Sequence, residues 1–243
     1  MAPLVSISHL GYAYADAKRP VFQDLNLQVE PGEFIAIVGE SGVGKSTLLR
    51  CVAGLVAATE GSIRLDIAHT GAERGYAFVF QDARLLPWRR LRHNVAYGLK
   101  GLALTPGERA ARVREVLSLT LIEDLADRWP HQLSGGQVQR AGIARALAVH
   151  PKLLLMDEPF SAVDAMTRQK LQDELLAIWQ RTRKAVVFVT HDIEEAVYLA
   201  DRVIVLGGHP ACIKLDQRVD LPRPRDRNSH ELQHLAHAVA RVL

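Results

Sequence analysis

The sequence predicts an α/β fold built around a mostly parallel sheet. Short apolar runs bounded by turn residues recur along the chain, and most of them are separated by stretches with helical periodicity. Strands that are apolar on both faces are typical of parallel sheets covered by helices. One such run leads into a glycine-rich loop and then into a helical run, which is the strand–loop–helix order of a phosphate-binding site.

The individual elements follow from apolar periodicity and from breaks at Gly and Pro. The predicted strands are residues 5–7, 25–29, 34–38, 76–80, 153–156, 185–189 and 202–206. Helices are predicted over residues 108–119, 137–149 and 229–243, and a helical insert over about 82–150. Beyond Pro210 the chain is charged and contains prolines, so we expect a solvated linker over residues 220–225.

Composition narrows the class of protein. The 243 residues carry a net charge of +3, with 48% hydrophobic and 23% charged residues, which excludes a disordered or fibrous chain. Acidic and basic residues are interspersed, so nothing favours a nucleic-acid partner. Cys51 and Cys212 lie far apart, which argues against a disulfide scaffold or zinc site and suits a reducing compartment. Because no export signal or long apolar run is evident, we expect a soluble, unexported chain.

A phosphate-binding loop is the clearest motif. The pattern GxxxxGK[ST] is matched by Gly39, Glu40, Ser41, Gly42, Val43, Gly44, Lys45 and Ser46, followed by Thr47. Glycines let such a loop turn tightly with its N–H groups directed at phosphate oxygens. Lys45 would place a positive charge on the terminal phosphates, Ser46 an oxygen on Mg²⁺, and the following helix its positive end. The pattern predicts a nucleoside triphosphate site.

Two further predicted strands end in polar residues at the same sheet edge. Asp157 and Glu158 follow the buried run 153–156, and we expect Asp157 to act on the Mg²⁺ side and Glu158 to polarise the attacking water. His191 follows the run 185–189, where it could hydrogen-bond the γ-phosphate. The competing interpretations are a solvated strand end for the carboxylates and a structural histidine.

The string Leu133-Ser134-Gly135-Gly136-Gln137 at the start of a predicted helix narrows the family. With the phosphate loop, Asp157-Glu158-Pro159, Ser161-Ala162-Val163-Asp164 and His191 in this order, the sequence resembles the ATP-binding subunits of ABC transporters over most of its length. This resemblance implies a P-loop ATPase core with a mostly parallel sheet, an N-terminal antiparallel β part and a helical subdomain. It also implies ATP hydrolysis with ATP and Mg²⁺ bound.

The resemblance extends to residues that the motifs alone would not single out. It implies a head-to-tail pair of subunits in which Ser134, Gly135, Gly136 and Gln137 complete the ATP site of the partner, and it counts Asp164 among the nucleotide-binding residues. It places Tyr14 on the adenine ring, with Tyr12 as the competitor, and it gives Gln81 contact with Mg²⁺ and the attacking water. Catalytic roles would then fall to Glu158, His191 and Gln81, and metal binding to Ser46, Gln81 and Asp157.

An apolar cluster after Gln81 points to a membrane partner. Leu85, Leu86, Pro87 and Trp88 lie among arginines, which favours a partner groove over core. In the resembling family this surface receives a helix of the permease, which implies two permease subunits, an external solute-binding protein and a peripheral position on the cytoplasmic face of the inner membrane. The runs 80–88 and 220–225 are similar to aliphatic sulfonate importers, with taurine and nitrate importers as near relatives.

These observations predict an ATPase domain over residues 1–210 with the helical insert inside it, and a C-terminal tail and helix over 211–243. An ABC-type ATPase acting on nucleic acid is the first alternative, although such proteins usually carry a longer coiled-coil insert or a second cassette. A P-loop kinase is the second, and it would not need the Ser134 helix. Histidines 230, 234 and 237 are spaced along one helical face, which we interpret as solvated.

Overall fold

The structure is a computed structural model, and it describes residues 2–15, 19–67 and 70–243. The strands in these ranges are β1 (Val5–Tyr12), β2 (Phe22–Val29), β3 (Phe34–Gly39), β4 (Glu60–Leu65), β5 (Tyr76–Val79), β6 (Leu153–Asp157), β7 (Ala185–Val189), β8 (Arg202–Gly207) and β9 (Cys212–Arg218). The α-helices are α1 (Lys45–Val52), α2 (Leu91–Tyr97), α3 (Pro106–Leu119), α4 (Gly135–Leu147), α5 (Ala165–Thr182), α6 (Ile193–Leu199) and α7 (His230–Ala240).

The chain divides into two compact units. The first consists of Met1–Asp66 and Ala185–Leu243, and the second of Ile67–Lys184. The boundary near residue 210 and the insert over about 82–150 stay predictions. Within the described ranges, no helix is both long and apolar enough to cross a bilayer.

The first unit contains an antiparallel sheet and a mostly parallel group of strands. Strand β1 pairs antiparallel with β2 and β4, and β3 lies between β7 and β8 in parallel register. Strand β9 is added antiparallel to β8. The predicted fold class is therefore confirmed, including its N-terminal antiparallel part.

Strand β3 carries the phosphate loop from the middle of the parallel group. All six of its residues are buried, as expected for a parallel strand covered on both faces. The rings of Phe34 and Phe188 lie 5.9 Å apart between their centroids, so β3 and β7 also share an aromatic contact. The start of the loop therefore rests on one of the most buried parts of the unit.

The second unit combines the parallel pair β5–β6 with helices α2 to α5. Helix α3 begins two residues before its predicted start because Thr105 and Glu108 form a capping box with Pro106 in the first turn. Helix α4 likewise begins at Gly135 and not at residue 137, because Ser134 is the N-cap. Capping thus explains both shifted starts.

The prediction of a solvated linker over residues 220–225 is wrong. Arg225 is only 7% exposed, and its guanidinium donates hydrogen bonds to backbone oxygens at the end of α6. Arg223 pairs with Asp201 and donates to Leu199 O at 2.6 Å. The segment therefore packs against the C-terminal end of α6 within the first unit, because its arginines donate to backbone carbonyls that composition alone does not reveal.

Candidate nucleotide site

The loop that follows β3 requires glycine for two different reasons. A Cβ atom on Gly39 would lie 2.6 Å from Leu206 O, which is closer than atoms can approach. Gly42 and Gly44 have φ angles of 82° and 112°, in the left-handed region that other residues rarely adopt. The loop therefore has the tight turn and the exposed backbone that a phosphate site needs.

Lys45 lies inside this loop. The residue is 5% exposed, and its Nζ donates hydrogen bonds to Gly39 O at 2.8 Å and to Glu40 O at 2.9 Å. The N-cap of α1 is Gly44, which has no side chain that could cap the first turn. A buried ammonium, glycine backbone and an N-terminus without a side-chain cap form a cradle whose chemistry fits a phosphate chain.

The remaining loop residues differ in their exposure to solvent. Ser41 and Gly42 are exposed, Glu40 is exposed, Val43 is buried and Ser46 is partly buried in the first turn of α1. Thr47 is buried, and its Oγ1 lies 3.2 Å from the hydroxyl of Tyr14. The predicted ring residue thus lies next to the helix that follows the loop.

The structure distinguishes Tyr14 from its competitor Tyr12. Tyr12 is buried, whereas Tyr14 is 52% exposed and meets the Tyr12 ring edge-on, with centroids 5.0 Å apart. A ring with a solvent-accessible face can stack on a base, and a buried ring cannot. The geometry favours Tyr14 for the adenine contact.

His191 lies directly after β7, the neighbour of β3. The N–H of Thr190 donates to Ile37 O at 3.1 Å, so the end of β7 is tied to the strand that leads into the phosphate loop. The Thr190 hydroxyl lies 2.5 Å from Glu195 Oε2 and accepts a hydrogen bond from the N–H of Asp192 at 3.0 Å. His191 is exposed between these two fixed residues.

Asp157 and Glu158 lie at the end of β6 in the second unit. Asp157 is buried, and Glu158 is partly buried with a φ of 45°. Left-handed backbone at a residue other than glycine, asparagine or aspartate is uncommon and clusters at functional sites. Glu158 is one of seven described residues other than glycine with a positive φ, so its backbone is consistent with the motif but does not identify the residue by itself.

Gln81 is connected to Glu158 through one side chain. Strands β5 and β6 are parallel, so Gln81 and Glu158 follow neighbouring strand ends. Gln81 Nε2 donates to Ser161 Oγ at 3.0 Å, and the Ser161 hydroxyl donates to Glu158 O at 3.0 Å. The structure therefore brings these two predicted residues together.

The Ser134 string forms the N-terminus of α4. Ser134 Oγ accepts from the N–H of Gln137 at 3.4 Å, and Gln137 Oε1 accepts from the N–H of Ser134 at 2.8 Å. Ser134 and Gly135 are exposed and Gly136 is buried. The capping role and a phosphate-binding role are compatible, because the Ser134 hydroxyl still has a proton to donate.

Asp164 is adjacent to that helix end through α5. Its Oδ1 accepts from the N–H of Thr167 at 2.9 Å, and this backbone hydrogen bond lowers the pKa of the Asp164 carboxyl. A Cβ atom on Gly136 would lie 2.8 Å from Thr167 Cγ2. Helices α4 and α5 therefore approach closely where Gly136 and the predicted nucleotide-binding residue Asp164 lie.

Sequence reasoning missed the residue that holds the Trp88 surface. Asn94 is fully buried on α2, accepts from the N–H of Leu86 at 2.7 Å and donates to Arg89 O at 2.8 Å. Trp88 lies between these anchors and is 69% exposed. An asparagine at an apolar position of a helix would have been the available signal.

The side chains available as metal ligands also bear on whether the site could bind Mg²⁺. Among the described residues, no group of three or more His, Cys, Asp and Glu could hold a metal ion. Protein Mg²⁺ sites commonly use one or two side chains together with phosphate oxygens and water. The hydroxyl of Ser46 in the first unit and the buried carboxylate of Asp157 in the second unit are each ligand types of that kind.

Comparison with known proteins gives concordant results. A family profile described as ABC transporter matches residues 22–161. An aliphatic sulfonates import ATP-binding protein from Xanthomonas axonopodis pv. citri is 50% identical over 215 residues, covering 88% of this chain and 85% of that protein. A taurine import ATP-binding protein from Pseudomonas putida is 47% identical over 210 residues, covering 85% and 79%.

Solved structures agree with these relatives. A dimeric ATP-binding cassette in a post-hydrolysis state with ADP and Pi matches with a TM-score of 0.74 and 32% identity, covering 90% of this chain and all of that one. CbiO1 from Clostridium perfringens, part of an ABC transporter complex, matches with a TM-score of 0.79 and 28% identity, covering 90% of each chain.

Proposed function

This chain belongs to the ABC transporter family, and from that membership we propose that it is the ATP-hydrolysing subunit of an importer, two copies of which close around ATP and Mg²⁺. The observation that carries the proposal is the burial of Lys45 inside a glycine loop at the start of α1, where the N-cap is a glycine. The loop N–H groups and the lysine ammonium would bind the phosphates. Tyr14 would stack on the adenine.

Hydrolysis would use residues from the ends of neighbouring strands. Glu158 accepts a proton from water, the water oxygen bonds to the γ-phosphorus, and the bond to the bridging oxygen breaks to release ADP. Gln81 orients that water, and His191 hydrogen-bonds the γ-phosphate. Ser46, Asp157 and Gln81 would hold Mg²⁺, which when bound offsets the negative charge of the phosphates.

The second copy would complete each site. Ser134, Gly135, Gly136 and Gln137 form a helix end fit for γ-phosphate oxygens, and Asp164 lies on the adjoining helix. In a two-fold pair, each copy would offer this end to the nucleotide of its partner, so two ATP molecules would stabilise the dimer. One copy alone would bind ATP and hydrolyse it slowly.

The exposed Trp88 surface would contact the permease. Asn94 fixes the backbone on both sides of Trp88, so the ring stands on a rigid base. Two such surfaces in a dimer would serve two permease subunits and keep the protein at the cytoplasmic face of the inner membrane. An external solute-binding protein would act with the permease and make no contact with this chain.

An aliphatic sulfonate is the proposed solute, because the similarity to the Xanthomonas import protein is at 50% identity. Taurine and nitrate are the alternatives. The permease and the solute-binding protein would set solute specificity. Uptake of each compound by cells carrying the intact system would decide between them.

The function is tested with purified protein and Mg-ATP. We expect the parental protein to hydrolyse ATP, and Glu158→Gln to keep ATP affinity, lose turnover by about 10²-fold or more and accumulate as a dimer in sedimentation. Glu123→Gln, a substitution on an exposed residue, is the matched control. If Glu158→Gln hydrolyses ATP at the parental rate, Glu158 is not the general base. If DNA stimulates the ATPase activity and the permease does not, the proposed importer function is contradicted.

A further inference from the structure

The tail after β9 contains an arginine with an unusual number of backbone acceptors. Arg225 Nη1 donates to Val197 O at 2.9 Å, to Tyr198 O at 3.0 Å and to Ala200 O at 2.6 Å. Val197 and Tyr198 belong to the last turn of α6, and Ala200 is its C-cap. Such carbonyls have no partner within the helix and need an external donor.

The same guanidinium also holds its own segment. Arg225 Nη2 donates to Val219 O and Nε to Leu221 O, both at 3.2 Å. Burial, with a smaller contribution from the Arg223 charge, lowers the pKa of Arg225 to about 10, so the side chain is still charged at neutral pH. A buried, charged side chain is thus retained wholly by backbone oxygens.

Two neighbouring arginines bind the same end of α6. Arg223 donates to Leu199 O at 2.6 Å and pairs with Asp201, the residue before β8. The guanidinium of Arg227 lies 3.6 Å from the centroid of the Tyr198 ring. Three arginines from one short segment therefore converge on the last turn of a single helix, and we refer to residues 219–227 as the tail clamp.

The other end of α6 is joined to His191. Asp192 is the N-cap of α6, with its Oδ1 accepting from the N–H of Glu195 at 3.1 Å, and Glu195 is hydrogen-bonded to Thr190. His191 lies in sequence between Thr190 and Asp192, both of which are hydrogen-bonded to Glu195, so its backbone moves with the first turn of α6. The helix has only seven residues, so a shift at one end is transmitted to the other.

Helix α7, which follows the tail clamp, lies near this first turn of α6. A cavity of about 460 Å³ is lined by His191, Asp192, Ile193 and Glu194 on one side and by Ala236, His237 and Ala240 of α7 on the other. Residues 219–227 therefore contact the C-terminal end of α6, and α7 borders the cavity beside His191 at the N-terminal end of α6.

We propose that the tail clamp positions His191 for ATP hydrolysis by holding α6, with Arg225 as the principal positioning residue. This inference rests on the proposed function, in which His191 contacts the γ-phosphate. Arg225 does not touch the nucleotide. It supplies donors for three α6 carbonyls, and losing them would let a two-turn helix tilt and displace the imidazole at its far end.

The experiment uses the full chain and compares Arg225→Met and Arg225→Lys with Arg241→Met, an exposed arginine after α7, as the matched control. Because a misplacement of about 1 Å can cost about 10²-fold in rate, we expect Arg225→Met to lower kcat by about ten- to a hundredfold. The dissociation constant of Mg-ATP should change less than about twofold, because the phosphate loop is intact. Arg225→Lys should recover part of kcat.

A second measurement separates positioning from general loss of structure. In a His191→Ala background, followed in single turnovers, Arg225→Met should lower the rate less than about twofold, since the group it positions is already absent. An equal loss in both backgrounds, parental kcat in folded Arg225→Met, or a parallel loss of Mg-ATP affinity would overturn the proposal. Absence of ATPase activity in the parental chain would instead contradict the proposed function.

A milder variant keeps the test open if Arg225→Met does not fold. Arg227→Met removes the stacking on Tyr198 and leaves the carbonyl hydrogen bonds of Arg225 in place. It should lower kcat by about threefold with unchanged Mg-ATP affinity. Parental kcat in Arg227→Met together with an unfolded Arg225→Met would assign the clamp to stability alone and overturn the positioning role.

Discussion

Gln139 on α4 donates a hydrogen bond from its side-chain Nε2 to the backbone oxygen of Gln81, at 2.8 Å. Gln81 in turn donates to Ser161, whose hydroxyl donates to Glu158 O. The helix that begins with Ser134 is therefore linked by three hydrogen bonds to the residue proposed as the general base. Gln139 is buried, and its Oε1 has no hydrogen-bond partner among the described residues.

Replacing Gln139 tests whether this link matters for turnover. Gln139→Leu keeps the bulk of the side chain and removes the hydrogen bond to Gln81 O, so we expect kcat to fall by about tenfold, the equivalent of one hydrogen bond. ATP affinity should be unchanged, because the phosphate loop is untouched. Steady-state ATPase assays measure kcat and a nucleotide titration measures the affinity, with Gln233→Leu, at an exposed position of α7, as the control. Parental kcat in Gln139→Leu would show that the link has no role in hydrolysis.

Close packing of α4 against α5 explains why a glycine occupies position 136. A Cβ at this position would lie 2.8 Å from Thr167 Cγ2, so Gly136→Ala should lower the free energy of unfolding by about 1–3 kcal/mol. Thr167→Ser removes that methyl group and should restore most of the loss in the double variant. Urea denaturation gives the free energy of unfolding of the parent, of Gly136→Ala and of the double variant. Equal stability of Gly136→Ala and the parent would contradict the packing argument.

The Trp88 surface gives a prediction that separates assembly from catalysis. Trp88→Ala removes an exposed ring, so the stability and basal ATPase activity should match the parent, while co-purification with the permease is lost. Met166→Ala, at an 83% exposed apolar side chain on α5, is the matched control. Uptake in cells at the parental rate by Trp88→Ala would rule out this surface as the contact.

Cys51 on α1 should be unreactive in the folded protein. Burial raises the pKa of its thiol, so the thiolate that reacts with labelling reagents is scarce at pH 8. We expect only Cys212 to be labelled in native protein and both cysteines in urea, as read by mass spectrometry. Cys51→Ala provides the control with a single label. Rapid native labelling of Cys51 would contradict the packing of α1.

The sequence predicted the parallel strands better than the others. Strands β3, β6, β7 and β8 are continuous apolar runs between turn residues, so their predicted and observed limits differ by at most one residue. Strands β4 and β9 were missed because they are half exposed and carry charges. Their place in a sheet depends on a partner strand distant in sequence.

The site residues also divide into those that a local sequence pattern reveals and those that it does not. Motifs with fixed spacing identified the phosphate loop and the Ser134 helix end, because the backbone geometry there depends on adjacent residues. Gln139 and Arg225 act on carbonyl oxygens far away in sequence, so no local pattern reveals them. Arg225 also lies between prolines and charges, a composition that is typical of solvated linkers.

In the proposed dimer, each triphosphate is held between two copies of the chain. A crystal structure of Glu158→Gln with Mg-ATP would show this arrangement. We predict a two-fold pair in which each γ-phosphate contacts Lys45 of one copy and Ser134 of the other. A nucleotide-loaded structure in which the Ser134 helix end of each copy faces away from the glycine loop of its partner would rule out the shared site.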